Sequence, residues 1–324
     1  MGFSKQVETT LPLFEEQLNL IFNTLSGSPD GLYEPGRYLL SLGGKRLRPA
    51  LTIWVAQHHG KGFNDAISAA LAVELFHNFS LMHDDIMDEA PVRRGQPTVH
   101  LRNNLATGIL SGDAMLVVAY QQLMKYPNPL GGVLMSHFLQ TSLEVCEGQQ
   151  WDMEFQDREM VSSTEYLQMI RFKTSVLLGE AARMGALVAG VSNETANTWY
   201  KFAVAAGLSF QIQDDLLDCF GDSSKTGKQS GGDILANKKT LLAILAWENS
   251  NEEQKRDAQF IWSLPASVEK IERTLAWYEA TQAKQKTEAV RDQYLNDALK
   301  ELLLIEGDTS LFNEMAHLFA HRDH

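Results

Sequence analysis

Apolar residues recur at spacings of three and four along most of this chain, and sustained alternation with β-branched residues is absent. That pattern predicts helices and no sheet. The longest runs cover residues 63–89, 133–155, 164–191 and 194–219, all rich in Ala, Leu, Met, Glu and Gln, residues that lose little on entering a helix. Prolines fall mostly at expected boundaries, at Pro29, Pro35, Pro49, Pro91, Pro97, Pro127, Pro129 and Pro265. Asn64, the stretch Ser162-Ser163-Thr164-Glu165 and the segment 193–198 are the expected N-caps. Residues 66–82 and 181–191 are apolar around most of their circumference, which places such helices inside a bundle rather than on its surface. The expected fold class is all-α. No low-complexity linker divides residues 1–324, so a single domain is expected, with the Gly-rich stretch 221–232 as the one candidate hinge.

Composition narrows the function. Forty-one acidic residues against 28 basic ones leave a net charge of -13, which argues against a general nucleic-acid binder, whose footprint is basic. A small anionic substrate stays open, because a local basic cluster can outweigh the global sum. Cys146 and Cys219 are far apart and lack metal-binding spacing, so neither a disulfide framework nor a zinc site is expected. The opening MGFSKQVETT has no basic stretch leading into an apolar one, and Gln6 stands where myristoylation wants Ser or Thr. No apolar run reaches the roughly 18 residues of a membrane span. A cytoplasmic protein without membrane insertion is the expectation.

The segments that carry chemistry are His83-Asp84-Asp85-Ile86-Met87-Asp88 and Gln213-Asp214-Asp215-Leu216-Leu217-Asp218, each a DDxxD closing a long apolar run. Residues four apart share a helix face, so Asp84 points with Asp88 and Asp214 with Asp218. Like charges at that spacing repel and call for a cation. Hard carboxylate oxygens in small number suit Mg²⁺, which then bridges to substrate phosphates. One such motif is as well explained by a solvated acidic helix end. Two of them, each behind an apolar helix, are not.

Cations gather beside these motifs. Gly43-Gly44-Lys45-Arg46-Leu47-Arg48-Pro49 holds three, Arg93-Arg94 follows the first DDxxD, and Lys173-Thr174 stands in an otherwise apolar run. Lys225, Lys228 and Lys238 follow the second motif. A lone lysine or arginine is ordinarily a solvated surface charge; cations concentrated beside acidic motifs in an acidic protein suggest a phosphate site. Arginine in particular favours bidentate phosphate contact, which suits Arg48, Arg93 and Arg94.

The ordered set GGKRLRP, DDIMD, RRG, KTS, QIQDDLLD and GK…D…K…T, over roughly residues 43–240, resembles the trans-prenyltransferase family, the short-chain isoprenyl diphosphate synthases of geranylgeranyl or farnesyl type. The resemblance implies antiparallel helices around a deep central cavity, usually in a homodimer. It implies that about three Mg²⁺ held between the DDxxD motifs ionise an allylic diphosphate (dimethylallyl, geranyl or farnesyl), whose cation isopentenyl diphosphate attacks. Carried over residue by residue, Asp84, Asp88 and Asp214 ligate metal, with Asp218, Asp85 and Asp215 as partial or outer ligands. Lys45, Arg48, His77 and Arg94 meet isopentenyl diphosphate; Arg93, Lys173, Lys228 and Lys238 meet the allylic diphosphate. Thr174 and Gln211 stand near the reacting carbons. His77, seven residues before Asp84, shares its face. The Gly-rich stretch is expected to act as a lid. One departure from the family pattern is Asn237, where Gly is usual before the lysine; Asn tolerates the left-handed conformation better than most residues.

The family also places the chain-length floor just before the first DDxxD, at Phe76, Phe79 and Ser80 here. Phe79 and Ser80 include a single aromatic residue, which resembles geranylgeranyl (C20) more than farnesyl (C15) producers. Two further readings compete: a non-catalytic subunit of a heteromeric synthase, which typically has a degraded DDxxD, and a terpene cyclase, which needs no isopentenyl diphosphate site.

Overall fold

Helix forms wherever the spacing of three and four runs, and the computed structural model describes residues 2–24, 29–221 and 231–322. In chain order the helices are α1 (Phe3–Thr24), α2 (Asp30–Ser41), α3 (Leu47–His58), α4 (Phe63–Met87), α5 (Val99–Arg102), α6 (Leu105–Leu123), α7 (Leu130–Gln156), α8 (Ser163–Ile170), α9 (Val176–Val188), α10 (Asn193–Phe220), α11 (Gly232–Leu235), α12 (Leu241–Glu248), α13 (Glu252–Ser263), α14 (Val268–Ala280), α15 (Ala283–Leu302) and α16 (Ser310–His321). A π-helical turn, Arg171–Ser175, joins α8 to α9. Among the described residues the strands are β1 (Val92–Arg93) and β2 (Gln96–Pro97), paired antiparallel. The fold is all-α.

Three boundaries differ from the sequence reading. The cap of α4 falls two residues before Asn64, at Gly62, whose N–H the Asp65 carboxylate accepts at 2.8 Å. The cap of α10 is Ser192, whose hydroxyl accepts the Thr195 N–H at 3.1 Å. Pro35 lies inside α2 with a buried face of Pro35, Gly36, Leu39 and Leu40, whose burial outweighs the hydrogen bond lost at the proline. The cap at Ser162 forms with Glu165 as a reciprocal pair.

The described residues form two compact units, one from the ranges 1–142 and 180–200, the other from 143–179 and 201–324. In the first, α4 packs chiefly on α6 and α3. Its midsection Ala69, Ala70, Ala72, Val73, Leu75 and Phe76 is at most 1% exposed, and small side chains there let the neighbouring helices approach closely. In the second unit, Leu216 and Cys219 of α10 share a core with Leu242, Ala246, Ile261, Trp277 and Tyr278 from α12, α13 and α14. Both cysteines are free thiols. Among the described residues no helix is long and apolar enough to cross a membrane.

Candidate active site

In the first unit, α4 ends at Met87 with Asp88 as its C-cap, so Asp84, Asp85 and Asp88 crowd the last turn. That end carries the negative pole of the helix dipole, where carboxylates are disfavoured and a cation is welcome. Arg93 supplies one: its Nη2 and Nε donate to Asp85 Oδ1 at 2.6 and 3.0 Å, and Nη2 lies 3.9 Å from Asp84 Oδ2. Asp85 is 2% exposed, and burial raises its pKa despite Arg93. Asp84 is half-buried and Asp88 exposed, so both are more accessible to solvent than Asp85.

The turn between β1 and β2 delivers the arginines. Arg94 and Gly95 both have positive φ, +54° and +75°, as a two-residue hairpin loop requires. Arg94 donates from Nη1 to the carbonyl of Gly43. A Cβ on Gly44 would stand 3.0 Å from Arg94 Nη2, whereas Gly43 is required by its left-handed φ of +80°.

Within that loop the cations divide. Arg46, 4% exposed, donates to Glu74 at 2.6 Å, Glu15 at 2.7 Å and the Leu40 carbonyl at 2.8 Å. It belongs to the fold. Lys45 is exposed. Arg48 reaches His77, Nη1 to Nε2, at 3.4 Å. Burial, then the positive potentials of Arg48, Arg94, Arg93 and Arg46, hold the His77 pKa well below its usual 6.5, so the imidazole is neutral at pH 7 among four guanidinium groups. Such a place favours an anion.

Upstream on α4, Phe76 is 1% exposed and packs on Phe79 and Phe138, each with ring centroids 5.4 Å apart. Phe79 stacks edge-on against His83 at 4.8 Å. The Ser80 hydroxyl turns back to the His77 carbonyl at 2.8 Å.

In the second unit, the DDxxD of α10 is held by three different partners. Asp214 Oδ1 accepts from Arg322 Nη2 at 2.5 Å, and the Arg322 carbonyl accepts from Gln213 at 2.9 Å. Asp215, 5% exposed, accepts from the Tyr166 hydroxyl. Burial, with Asp233 and Asp214 nearby, pushes the Asp215 pKa up to about 8. Asp218 Oδ2 accepts the Asp233 N–H at 2.9 Å, tying the motif to α11. Lys238 pairs with Asp233 at 3.2 Å. Asn237 before it has φ +52°, the left-handed conformation anticipated for this departure. Lys173 Nζ lies 2.6 Å from Asp152 Oδ2, and the Thr174 hydroxyl donates to Gln211 Oε1 at 3.2 Å. Lys225, Lys228 and the interior of the expected lid lie outside the described residues.

Two site residues escaped the sequence reading. Asp152, the partner of Lys173, stands in GQQWD on α7; its signal was an acidic residue four positions after a glycine in an apolar helix. Arg322 carried no local signal at all. Among the described residues no three His, Cys, Asp or Glu side chains converge as a metal cage. Carboxylates in small number suit Mg²⁺, which keeps water or substrate oxygens in its shell. Paired hard oxygen donors fit that ion.

The profile of the polyprenyl synthetase family matches residues 29–278. The chain is 38% identical to a geranylgeranyl pyrophosphate synthase of Geoglobus acetivorans over 296 residues, 86% of this chain and 92% of that one. It is 44% identical to a geranylgeranyl diphosphate synthase of Methanosarcina mazei over 222 residues, 68% of each chain. A crystal structure of a geranylgeranyl pyrophosphate synthase, 40% identical, superposes with a TM-score of 0.90 over 97% of both chains. Prenyl synthases use isoprenyl diphosphate substrates and are generally Mg²⁺-dependent. The chain belongs to the polyprenyl synthetase family and is a trans-prenyltransferase.

Proposed function

We propose that this enzyme joins isopentenyl diphosphate head-to-tail to an allylic diphosphate and delivers geranylgeranyl diphosphate (C20). The observation that carries the reading is a cluster of cations at the carboxylate end of α4: Arg48 Nη1 lies 3.4 Å from His77 Nε2, Arg93 holds Asp85, and Arg94 reaches the Gly43 carbonyl of the GGKRLRP loop. A terpene cyclase has no use for that second anion site. The C20 product rests on the single aromatic of the Phe79–Ser80 pair and on relatives that are geranylgeranyl diphosphate synthases.

In this reading Asp84, Asp88, Asp214 and Asp218 hold about three Mg²⁺. When bound, these ions supply positive charge against which a diphosphate can depart. Lys45, Arg48, His77 and Arg94 hold isopentenyl diphosphate. Arg93, Lys173, Lys228 and Lys238 hold the allylic diphosphate and stabilise the negative charge that develops on it. Its C–O bond breaks with both electrons leaving on the diphosphate. The double bond of isopentenyl diphosphate then forms the new C–C bond, and the proton lost afterwards passes to the departed diphosphate. Thr174 and Gln211 stand near the reacting carbons, and apolar walls keep water from the cation.

The whole chain serves as one polyprenyl synthetase domain of a cytoplasmic homodimer. Exposed apolar side chains, Ile109, Leu110 and Val117 on α6 and Val133 and Leu139 on α7, support a partner subunit. Incubation of the purified protein with labelled isopentenyl diphosphate and each allylic primer, with and without EDTA, tests the reading. A metal-dependent C20 product is expected. A C15 product would identify a farnesyl diphosphate synthase, and no elongation would leave a non-catalytic subunit.

A further inference from the structure

The π-turn Arg171–Ser175 interrupts what periodicity alone reads as one helix, and it does so at Lys173 and Thr174. Its signature is the Val176 N–H bonding to the Arg171 carbonyl, five residues back. Two neighbouring helices press on it. On α7, a Cβ at Gly148 would stand 2.2 Å from the Lys173 backbone nitrogen, 2.7 Å from the Phe172 carbonyl carbon and 2.8 Å from the Lys173 Cα. On α10, a Cβ at Gly207 would stand 3.1 Å from the Ser175 Cα, Cβ and Oγ. One helical turn beyond each glycine stands the partner of a functional side chain. Asp152 follows Gly148 and takes the Lys173 ammonium at 2.6 Å; Gln211 follows Gly207 and accepts the Thr174 hydroxyl at 3.2 Å. Trp151 of α7 stacks on Phe172 within the turn, centroids 5.4 Å apart and planes 21° apart.

The geometry points to Gly148 and Gly207 as positioning residues for the allylic half of the reaction. Each glycine lets a backbone come close enough for the residue four positions on to catch a side chain of the π-turn. Lys173 and Thr174 are thereby aimed from two flanking helices, independently of the regular ladder of their own helix. The Ser175 hydroxyl, 0% exposed and without a hydrogen-bond partner among the described residues, agrees with a turn held by its neighbours at some expense in local stability. The inference rests on the proposed contact of Lys173 with the allylic diphosphate.

The test compares steady-state kinetics of Gly148→Ala, Gly207→Ala, Lys173→Ala and the control Gly131→Ala. The control's new Cβ meets the Tyr126 carbonyl oxygen at 2.6 Å, a clash with a backbone atom that belongs to neither the turn nor its flanking glycines. Circular dichroism and thermal melts accompany each variant. Displacement of Lys173 by about an ångström should cost tenfold or more, up to roughly a hundredfold, in kcat/KM for the allylic primer. Gly148→Ala should raise the allylic KM in that way with the isopentenyl diphosphate KM unchanged, and Gly207→Ala should do the same more mildly. Gly131→Ala should lower Tm and leave the ratio of the two KM values alone. Should Gly148→Ala not fold, Gly207→Ala carries the same prediction. If Lys173→Ala raises the allylic KM while the folded glycine variants move neither KM, or move both together, the positioning role is overturned. If Lys173→Ala leaves the allylic KM unchanged, the substrate assignment of Lys173 fails and the positioning role falls with it.

Discussion

Arg322 Nη2 donates to Asp214 Oδ1 at 2.5 Å, so a side chain at the end of α16 neutralises the leading aspartate of the second DDxxD. Its guanidinium also lies 3.8 Å over the Phe210 ring, one turn before Asp214. A cation that must reach Asp214 competes with this resident partner. The Asp214 side chain is 46% exposed, so solvent screens the pair to no more than about 1 kcal/mol, a factor of roughly five. Arg322→Gln should therefore lower the Mg²⁺ concentration that gives half the maximal thermal shift, by up to about fivefold, in substrate-free protein. The effect should shrink at high salt. An unchanged Mg²⁺ midpoint would show that Arg322 does not compete at Asp214.

Arg46 and Arg48 should separate by mutation. Arg48→Ala should raise the KM for isopentenyl diphosphate more than that for the allylic partner, since a charge-assisted contact is worth about 1.5–3 kcal/mol. Arg46→Ala should instead destabilise the fold by about 3–5 kcal/mol, because it strands the buried Glu74 carboxylate. Thermal melts beside two-substrate kinetics distinguish these outcomes. A stable Arg46→Ala protein with a selective isopentenyl diphosphate defect would reverse the assignment.

Acid should weaken the fold partly through His77. Burial and the surrounding arginines hold its folded pKa well below 6.5, so acidification protonates the unfolded chain first. The stability tied to neutral His77 is complete above about pH 6.5 and is lost as pH falls toward the depressed folded value. His77→Gln should make the dependence of Tm on pH shallower below about 6.5. Parallel Tm–pH curves for the two proteins would contradict the assignment.

Shortening the floor on α4 should lengthen the product. Phe79→Ala or Phe76→Ala should add at least one five-carbon unit, which spans roughly three residues of helix rise. Phe76 is clamped between Phe79 and Phe138, so its removal should also cost about 3–5 kcal/mol. Phe79→Ala is the cleaner probe. Chromatography of dephosphorylated products with unchanged length in both variants would exclude these phenylalanines as the floor.

The all-α class was legible in the sequence because helical periodicity is a local property, written into residues three and four apart. For the same reason the runs 133–155 and 194–219 correspond closely to α7 and α10. The pairing of Asp84 with Asp88 was equally readable, being helix geometry. The ordered motifs alone point to diphosphate chemistry.

Tertiary structure decided which of these residues stand open and which are committed to the fold. Arg46 and Arg48 look alike in sequence, yet Arg46 is taken up by Glu74, 28 residues away. The π-turn is invisible to periodicity because its cause lies on α7 and α10, where Gly148 and Gly207 press against it. Asp152 and Arg322 gain their roles from contacts spanning 21 and 108 residues. Local pattern determined where the helices run and which side chains can share a face. The choice of ion-pair partner, the neutrality of His77 and the register of Lys173 depend on burial and on charges brought together only by packing, and no local spacing encodes those.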